Sequence, residues 1–276
     1  MSHGDALEIE PLAPTDVSQN VALSRSVGWK DVESEWRVVH EAAEVRGVRQ
    51  QGRVVVQGAL GDYRNSATLA KMVVAADLQR RGLGARLLDD FLARADGRGI
   101  PVGLCATDHG RPLYQSRGFA VSGELMILFG TPELETKVEG DVAPLVDVER
   151  AVAQDLRFLA CDRSRMLRAR CREASVKLEL VSAAGYGLAS SQGEHGLVGP
   201  VLAESEQGAR QLLAAIFKVV SGPVRVDVPL QHVELRRWLV QLGLREMSVR
   251  VEMARGAERM PWQVPQRFAL ASQAWG

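Results

Sequence analysis

Residues 79–85 read Gln-Arg-Arg-Gly-Leu-Gly-Ala: a polar amide, two arginines, and two glycines one residue apart. They follow the apolar run "LAKMVVA" (69–75) and open a stretch in which Leu83, Leu87, Leu88, Phe91, Leu92 and Ala95 recur at helical spacing. A turn of this kind, between a strand and a helix, has one ready chemistry. The backbone N–H groups of Arg80, Arg81, Gly82, Leu83, Gly84 and Ala85 can converge on a phosphate at the positive end of the helix dipole. Glycine at 82 and 84 lets the backbone approach oxygens that a Cβ would exclude, and Arg80 and Arg81 add charge at the rim. The same residues also read as a turn whose glycines only relieve backbone strain, and taken alone they leave both readings open. Other nucleotide loops do not fit. No Gly-Lys-Ser/Thr follows, and Leu87 stands where a dinucleotide fingerprint needs a third small residue.

Candidates for proton transfer are scattered. His40, Glu41, Glu44, Asp62, Asp108 and His109 could each serve a cleft as general base, and each also reads as a solvated surface residue; "TDHG" (107–110) is explained by turn chemistry. Cys105 lies inside the apolar "IPVGLCAT" (100–107), where a thiol is inert. With Cys161 and Cys171 it makes an odd set without metal-ligand spacing, so no metal site is expected, and free thiols in a reducing cytoplasm are.

The elements that must position these residues follow from periodicity. A short strand at 7–9 precedes a helix at 14–28 and a second helix opened by Asp31. Two strands meet at Gln51-Gly52, a hairpin signal, and "SATLAKMVVA" (66–75) is a further strand. After the helix that follows the glycine turn come a buried strand at 100–107, a short helix at 110–118 and a closing strand at 119–129. The result is a mixed α/β domain over 1–130. The polar, Gly/Pro-bearing 131–141 reads as a linker, and 142–276 as a second domain with helices first and then alternating strands and helices. Its tail, "RMPWQVPQRFALASQAWG" (259–276), has no clear period and is expected on the surface.

The 276 residues carry 34 basic and 34 acidic side chains, so no global field recruits nucleic acid or an acidic membrane. The longest apolar runs, such as "LLAAIF" (212–217), fall far short of the ~20 residues that span a bilayer, and "MSHGDALEIE" lacks the features of a signal peptide.

The two halves repeat one another. "IPVGLCAT…LYQSRGF" (100–119) has the layout of "GPVRVDVP…WLVQLGL" (222–244), and an offset of 125 places Gly118 on Gly243 and Leu87-Leu88 on Leu212-Leu213. The register is not constant, so short insertions are allowed. The copies differ where chemistry would sit: the loop arginines are lost, Glu204 and Glu206 enter, and Leu239 stands in place of Tyr114. Only the first copy is equipped.

Gln79-x-x-Gly82-x-Gly84 after a buried strand, then a helix, then Tyr114 four residues before Gly118-Phe119, resembles the GNAT N-acetyltransferase superfamily. The whole chain is similar to two-domain bacterial GNAT proteins with a diverged C-terminal GNAT-like domain. The resemblance implies tandem GNAT-like domains and acetyl-CoA as co-substrate, with Gln79 to Ala85 at its pyrophosphate. It also implies Met72, Val73 and Val74 as the strand whose backbone pairs with pantetheine, Tyr114 as general acid toward the departing thiolate, and a small-molecule amine as acceptor. A CoA-binding sensor or interaction module without acceptor chemistry is the alternative it leaves.

Overall fold

The protein, described as a computed structural model, covers residues 7–134 and 141–276. Its first strand, β1, is Glu10–Pro11 rather than the expected 7–9 and pairs with Arg46 and Gly47. Helices α1 (Val17–Ser26) and α2 (Glu33–Ala42) follow. Strands β2 (Ala43–Gln50) and β3 (Arg53–Asp62) form the expected hairpin; Gln51 and Gly52 both take positive φ, +51° and +76°, which matches the twist of a two-residue hairpin loop. Then come β4 (Ala67–Val74), α3 (Leu83–Asp96), β5 (Val102–Ala106), α4 (Arg111–Gln115) and β6 (Ala120–Gly130).

The second half opens with β7 (Val142–Pro144), α5 (Val148–Leu159) and α6 (Ser164–Glu173). It continues through β8 (Val176–Leu180), β9 (Gly185–Ser191), β10 (Gly196–Ala203), α7 (Glu206–Val219), β11 (Val224–Pro229), α8 (Val233–Gln241), β12 (Arg245–Arg255) and β13 (Arg267–Ala269). Residues 135–140 of the expected linker lie outside the described residues.

All the strands join one mixed sheet in the order β1-β2-β3-β4-β5-β12-β6-β11-β10-β9-β8-β7, with β13 beside β10. The two halves exchange their closing strands. β12 of the second half pairs with β5, β6 of the first pairs with β11, and β6 and β12 run antiparallel to each other in the middle. Leu125 and Arg250, related by the 125-residue repeat, face each other across that central pair. The repeat also recurs in detail: Phe119 N–H donates to Tyr114 O at 3.2 Å, and Leu244 N–H to Leu239 O at 3.1 Å.

Alternation along the strands sorts the core into two layers. Val102, Leu104 and Ala106 cluster with α3 and Tyr114, and Val224, Val226 and Val228 with α7 and α8. On the other face, Ala59, Ala70 and Val73 pack with α1, α2 and α6, while Leu188 and Leu202 pack with α5 and α6.

The tail lies inside, not on the surface. Trp262, Phe268, Leu270, Ala271 and Trp275 are all buried. Its lack of period has a physical reason: it is held residue by residue through its carbonyls, not by one face of a helix or strand. Arg170 Nη2 donates to Ala271 O at 2.6 Å, Tyr63 Oη to Trp275 O at 3.0 Å, and Arg163 Nη1 to Gly276 O at 2.9 Å. The buried arginines are themselves paired, Arg163 with Asp155 at 2.7 Å, Arg170 with Glu35, and Arg267 with Glu252 at 2.7 Å. Such charges are tolerable in an interior when each is paired with an opposite charge and hydrogen-bonded to it.

Within the sheet, β10 pairs with β11 through Gly196, Leu197 and Val198 and then diverges. β13 fills the gap: Val201 pairs with Ala269, and Leu270 N–H donates to Asp227 O at 3.0 Å. A Cβ on Gly199 would lie 1.8 Å from Leu270 O, whereas one on Gly193, also at positive φ, would meet nothing within 4 Å. Gly199→Ala should therefore cost about 3 kcal/mol of stability and Gly193→Ala about 1. Urea midpoints of the two variants check this; equal losses would mean that the tail is not wedged there.

Candidate functional site

The first half has the same divergence without the wedge. β4 pairs with β5 only from Ala67 to Leu69, while its other edge stays on β3 as far as Val74. A bulge accompanies the divergence. Gln57 pairs with Val73 and Ala59 with Ala70, which leaves Lys71 and Met72 opposite the single residue Gly58. Lys71 takes φ +57°. Gly58 packs closely there: a Cβ would stand 2.5 Å from Met72 Sδ and 2.9 Å from Phe91 Cε2, so either side chain would have to shift. Among the described residues, no strand pairs with the edge of β4 that faces β5 beyond Leu69.

The loop after β4 is built to leave donors free. Gln79 Nε2 donates to Val74 O at 3.2 Å and so ties the loop to the end of the strand. Arg80 and Gly82 take positive φ, +60° and +78°, and Arg80, Arg81 and Gly82 are exposed. Gly82 is the N-cap of α3 and no side chain caps it. The first helical bond there is Arg86 N–H to Gly82 O, so among the described residues the N–H groups of 80–85 donate to nothing in the protein. Leu83 is buried under the loop; Gly84 and Ala85 are half-buried. A Cβ on Gly84 would sit 3.4 Å from Val74 Cγ2, ordinary contact, so the protein itself does not demand glycine at that point.

The equivalent turn of the second half is closed. Ser205 caps α7 by accepting from Gly208 N–H at 3.2 Å, and Glu206 lies in its first turn, bonded to Arg210. Its helix end thus has a side-chain cap on the Gly208 N–H and carries a carboxylate.

Of the strand residues expected to present backbone, Val73 is buried toward α1 and α2, and Met72 and Val74 are half-buried toward α3. Tyr114 is buried beside Phe119, with ring centroids 5.9 Å apart, and its hydroxyl makes no hydrogen bond with the described residues. Burial pushes its pKa up to about 12, so the phenol keeps its proton through neutral and alkaline pH.

The candidate bases are spread over several elements, and only Asp108 and His109 follow the diverging end of β5. His40 Nε2 lies 2.8 Å from Asn20 Oδ1, and burial lowers its pKa. Glu41 pairs with Arg172, Glu44 with Arg94 at 3.1 Å, and Asp62 with Arg98 at 2.7 Å; Asp108 and His109 are exposed in their turn. Burial also pushes up the Cys105 thiol, in line with an inert cysteine.

Next to the bulge stands a group that the sequence did not mark. Lys71 Nζ bonds Asp31 Oδ1 at 2.8 Å, and Trp36 Nε1 donates to Asp31 Oδ2 at 3.0 Å. Burial works to raise the Asp31 pKa, but the Lys71 ammonium and the hydrogen bonds from Lys71, Ser24 and Trp36 hold it below the ordinary carboxylate range. The pair ties the loop between α1 and α2 to the bulge. Asp31 was readable only as a helix opener, because nothing in "LAKMVV" announces a bulge. Two surface hollows, of about 240 and 290 Å³, lie elsewhere and include neither this loop nor Tyr114.

Free N–H groups, an open strand edge and a cradle that glycine leaves at position 84 together fit a pyrophosphate with a pantetheine arm. Gly84→Asp should keep or raise thermal stability, because a carboxylate suits the first turn of α3. It should also lower CoA affinity by at least about tenfold, by placing that carboxylate where phosphate belongs. Calorimetric titration with a melting curve checks both; undiminished affinity would remove the phosphate from this loop.

Comparison with known proteins assigns both halves to one family. A family model described as an acetyltransferase (GNAT) domain matches residues 27–130, and another with the same description matches 151–269. The uncharacterized N-acetyltransferase YitH of Bacillus subtilis (strain 168) is 25% identical over 279 residues, 98% of each chain. A crystal structure of a presumed acetyltransferase from Pyrococcus horikoshii superposes with a TM-score of 0.83 at 20% identity, covering 100% of this chain and 98% of that one. A tandem GNAT protein from the clavulanic acid biosynthesis pathway superposes with a TM-score of 0.64 at 16% identity, over 90% of this chain and 98% of its own. With a GNAT domain in each half and the tandem fold, the chain belongs to the GNAT N-acetyltransferase family.

Proposed function

We propose that the protein transfers an acetyl group from acetyl-CoA directly to the amine of a small molecule, using the first cleft alone. The observation that carries this reading is the difference between two equivalent helix ends. The N-terminus of α3 is uncapped beside an open strand edge, while that of α7 is capped by Ser205 beside an edge filled by β13. Bound acetyl-CoA supplies the thioester. The N–H groups of Arg80 to Ala85 would hold its pyrophosphate, with Arg80 and Arg81 at the rim and Gln79 fixing the loop to Val74. The free edge of β4 at Met72, Val73 and Val74 would hold the pantetheine arm.

Tyr114 is the candidate general acid. A phenol near pKa 12 does not protonate a free thiol anion of about 8.5 favourably, so its proton must move as the C–S bond breaks, with solvent restoring it afterwards. That Glu41, Glu44 and Asp62 are each engaged by an arginine supports a second reading, a CoA-binding sensor without acceptor chemistry. CoA release from acetyl-CoA with a panel of primary amines, corrected for hydrolysis, separates the two: an enzyme shows acceptor-dependent release, a sensor shows binding only. No described helix is long and apolar enough to cross a membrane, and the three free cysteines suit a cytoplasmic setting.

Titration of the full chain should give one CoA site, and two equal sites would contradict the assignment to one cleft. On the amine found by the panel, Tyr114→Phe should lower kcat by roughly 10- to 10³-fold while acetyl-CoA affinity stays within a few-fold. An unchanged kcat would move the proton donor elsewhere.

A further inference from the structure

The two halves build the same bulge from different residues. In the second half Val198 pairs with Ala189 and Val201 with Gly187, so Gly199 and Pro200 stand opposite the single residue Leu188. Lys71 and Met72 stand opposite Gly58 in the same way. The leading residue has positive φ in both, +148° at Gly199 and +57° at Lys71. Glycine reaches such values freely, whereas a residue with a Cβ adopts them at a cost. The first half therefore needs other contacts to hold its bulge.

Those contacts run through the side chain. Lys71 Nζ lies 2.8 Å from Asp31 Oδ1 and 5.9 Å from the centre of the Trp36 ring. The pair is largely shielded, with 10% of the lysine side chain and 12% of the aspartate side chain exposed. Asp31 is fixed in its turn. Trp36 Nε1 donates to its Oδ2 at 3.0 Å, Arg25 Nε to its backbone O at 3.0 Å, and the Ser24 hydroxyl also bonds its carboxylate.

Behind Asp31 a line of buried side chains joins α1 to β3. Gln57 Nε2 donates to Ser24 Oγ at 3.0 Å, and Asn20 Nδ2 donates to Gln57 Oε1 at 2.9 Å. His40 Nε2 lies 2.8 Å from Asn20 Oδ1, an atom that can only accept. Asn20, Ser24 and Gln57 are all fully buried. A buried polar line is stable only with its bonds made, so it fixes position where apolar packing would permit drift. Gln57 is also the ladder partner of Val73, the residue that follows the bulge. The line thus grips β4 on both sides of Met72, just past Leu69, where the pairing with β5 stops.

We infer that Asp31 is a positioning residue for donor binding. Through Lys71 it holds the bulge at positive φ, and so sets the course of the free β4 edge at Met72, Val73 and Val74. What matters to the donor is the backbone at 71, while the ammonium is spent on Asp31. The inference rests on the donor reading above and adds a residue to it.

Calorimetric titration of full-length variants with CoA, beside their melting curves, tests it. Lys71→Gly and Lys71→Ala both remove the ion pair, but only glycine keeps the positive φ without strain. Lys71→Gly should bind CoA within about twofold of the unaltered protein, and Lys71→Ala about 5- to 10-fold more weakly. Asp31→Asn should lose about as much as Lys71→Ala, and the double variant Asp31→Asn/Lys71→Gly should recover the loss. A pair that only stabilises the fold would shift melting temperatures without separating glycine from alanine in CoA binding. The two Asp31→Asn proteins repeat the comparison without alanine at 71, so a poorly folded variant in one pair leaves the other to decide. Equal CoA affinity of Lys71→Gly and Lys71→Ala, or undiminished affinity in Asp31→Asn, would overturn the inference. Failure of CoA to bind the unaltered protein would instead refute the donor reading, and this inference with it.

Discussion

The constraint on which the rest depends is that neither half can finish its own sheet. β5 takes its outer neighbour, β12, from the second half, and β11 takes β6 from the first. A strand edge left unpaired in an interior costs a row of unsatisfied backbone groups, so each half is completed only by the other. The exchange fixes two related clefts in one body and brings the repeat into register, with Leu125 and Arg250 opposed at its centre. Divergence of the copies could then proceed within a shared frame, since the frame's stability draws on both.

The two clefts have opposite accounts of their polar groups. In the second, Ser205 caps the helix end at Gly208 N–H and β13 fills the strand gap, so the chain provides partners of its own. In the first, the N–H groups of 80–85 and the edge of β4 beyond Leu69 have no partner among the described residues. The loop carrying them has two residues at positive φ, one of them Arg80, a conformation that a non-glycine residue adopts at a cost. A strained, unsatisfied turn is a poor stabiliser and a good receptor, and the neighbouring Lys71–Asp31 pair holds the opposite wall in place.

Much of this was legible in local sequence. The turn at Gln51-Gly52, the stripe of Leu87, Leu88 and Phe91, and the loss of loop arginines in the second copy are all short-range signals, and each corresponds to an observed element. What was not legible is long-range. Periodicity marks which face of a strand is buried but not which strand lies beside it, so the exchange of β6 and β12 left no trace. The bulge at Lys71 sits opposite Gly58, where Met72 and Phe91 occupy the space a Cβ would take, and these residues are far apart in the chain. The tail was misplaced for the same reason: its burial depends on Arg163, Arg170 and Tyr63, single contacts from distant elements that no pattern within 259–276 foretells.

The central claim is that donor binding belongs to one of two equivalent clefts. Hydrogen–deuterium exchange of the full chain with and without CoA tests it most directly, because it reads both clefts in one experiment. The account predicts that CoA slows exchange at residues 70–74 and 80–85 and leaves 198–202 and 205–209 unchanged. Slowing in the second set, or none in the first, would contradict it.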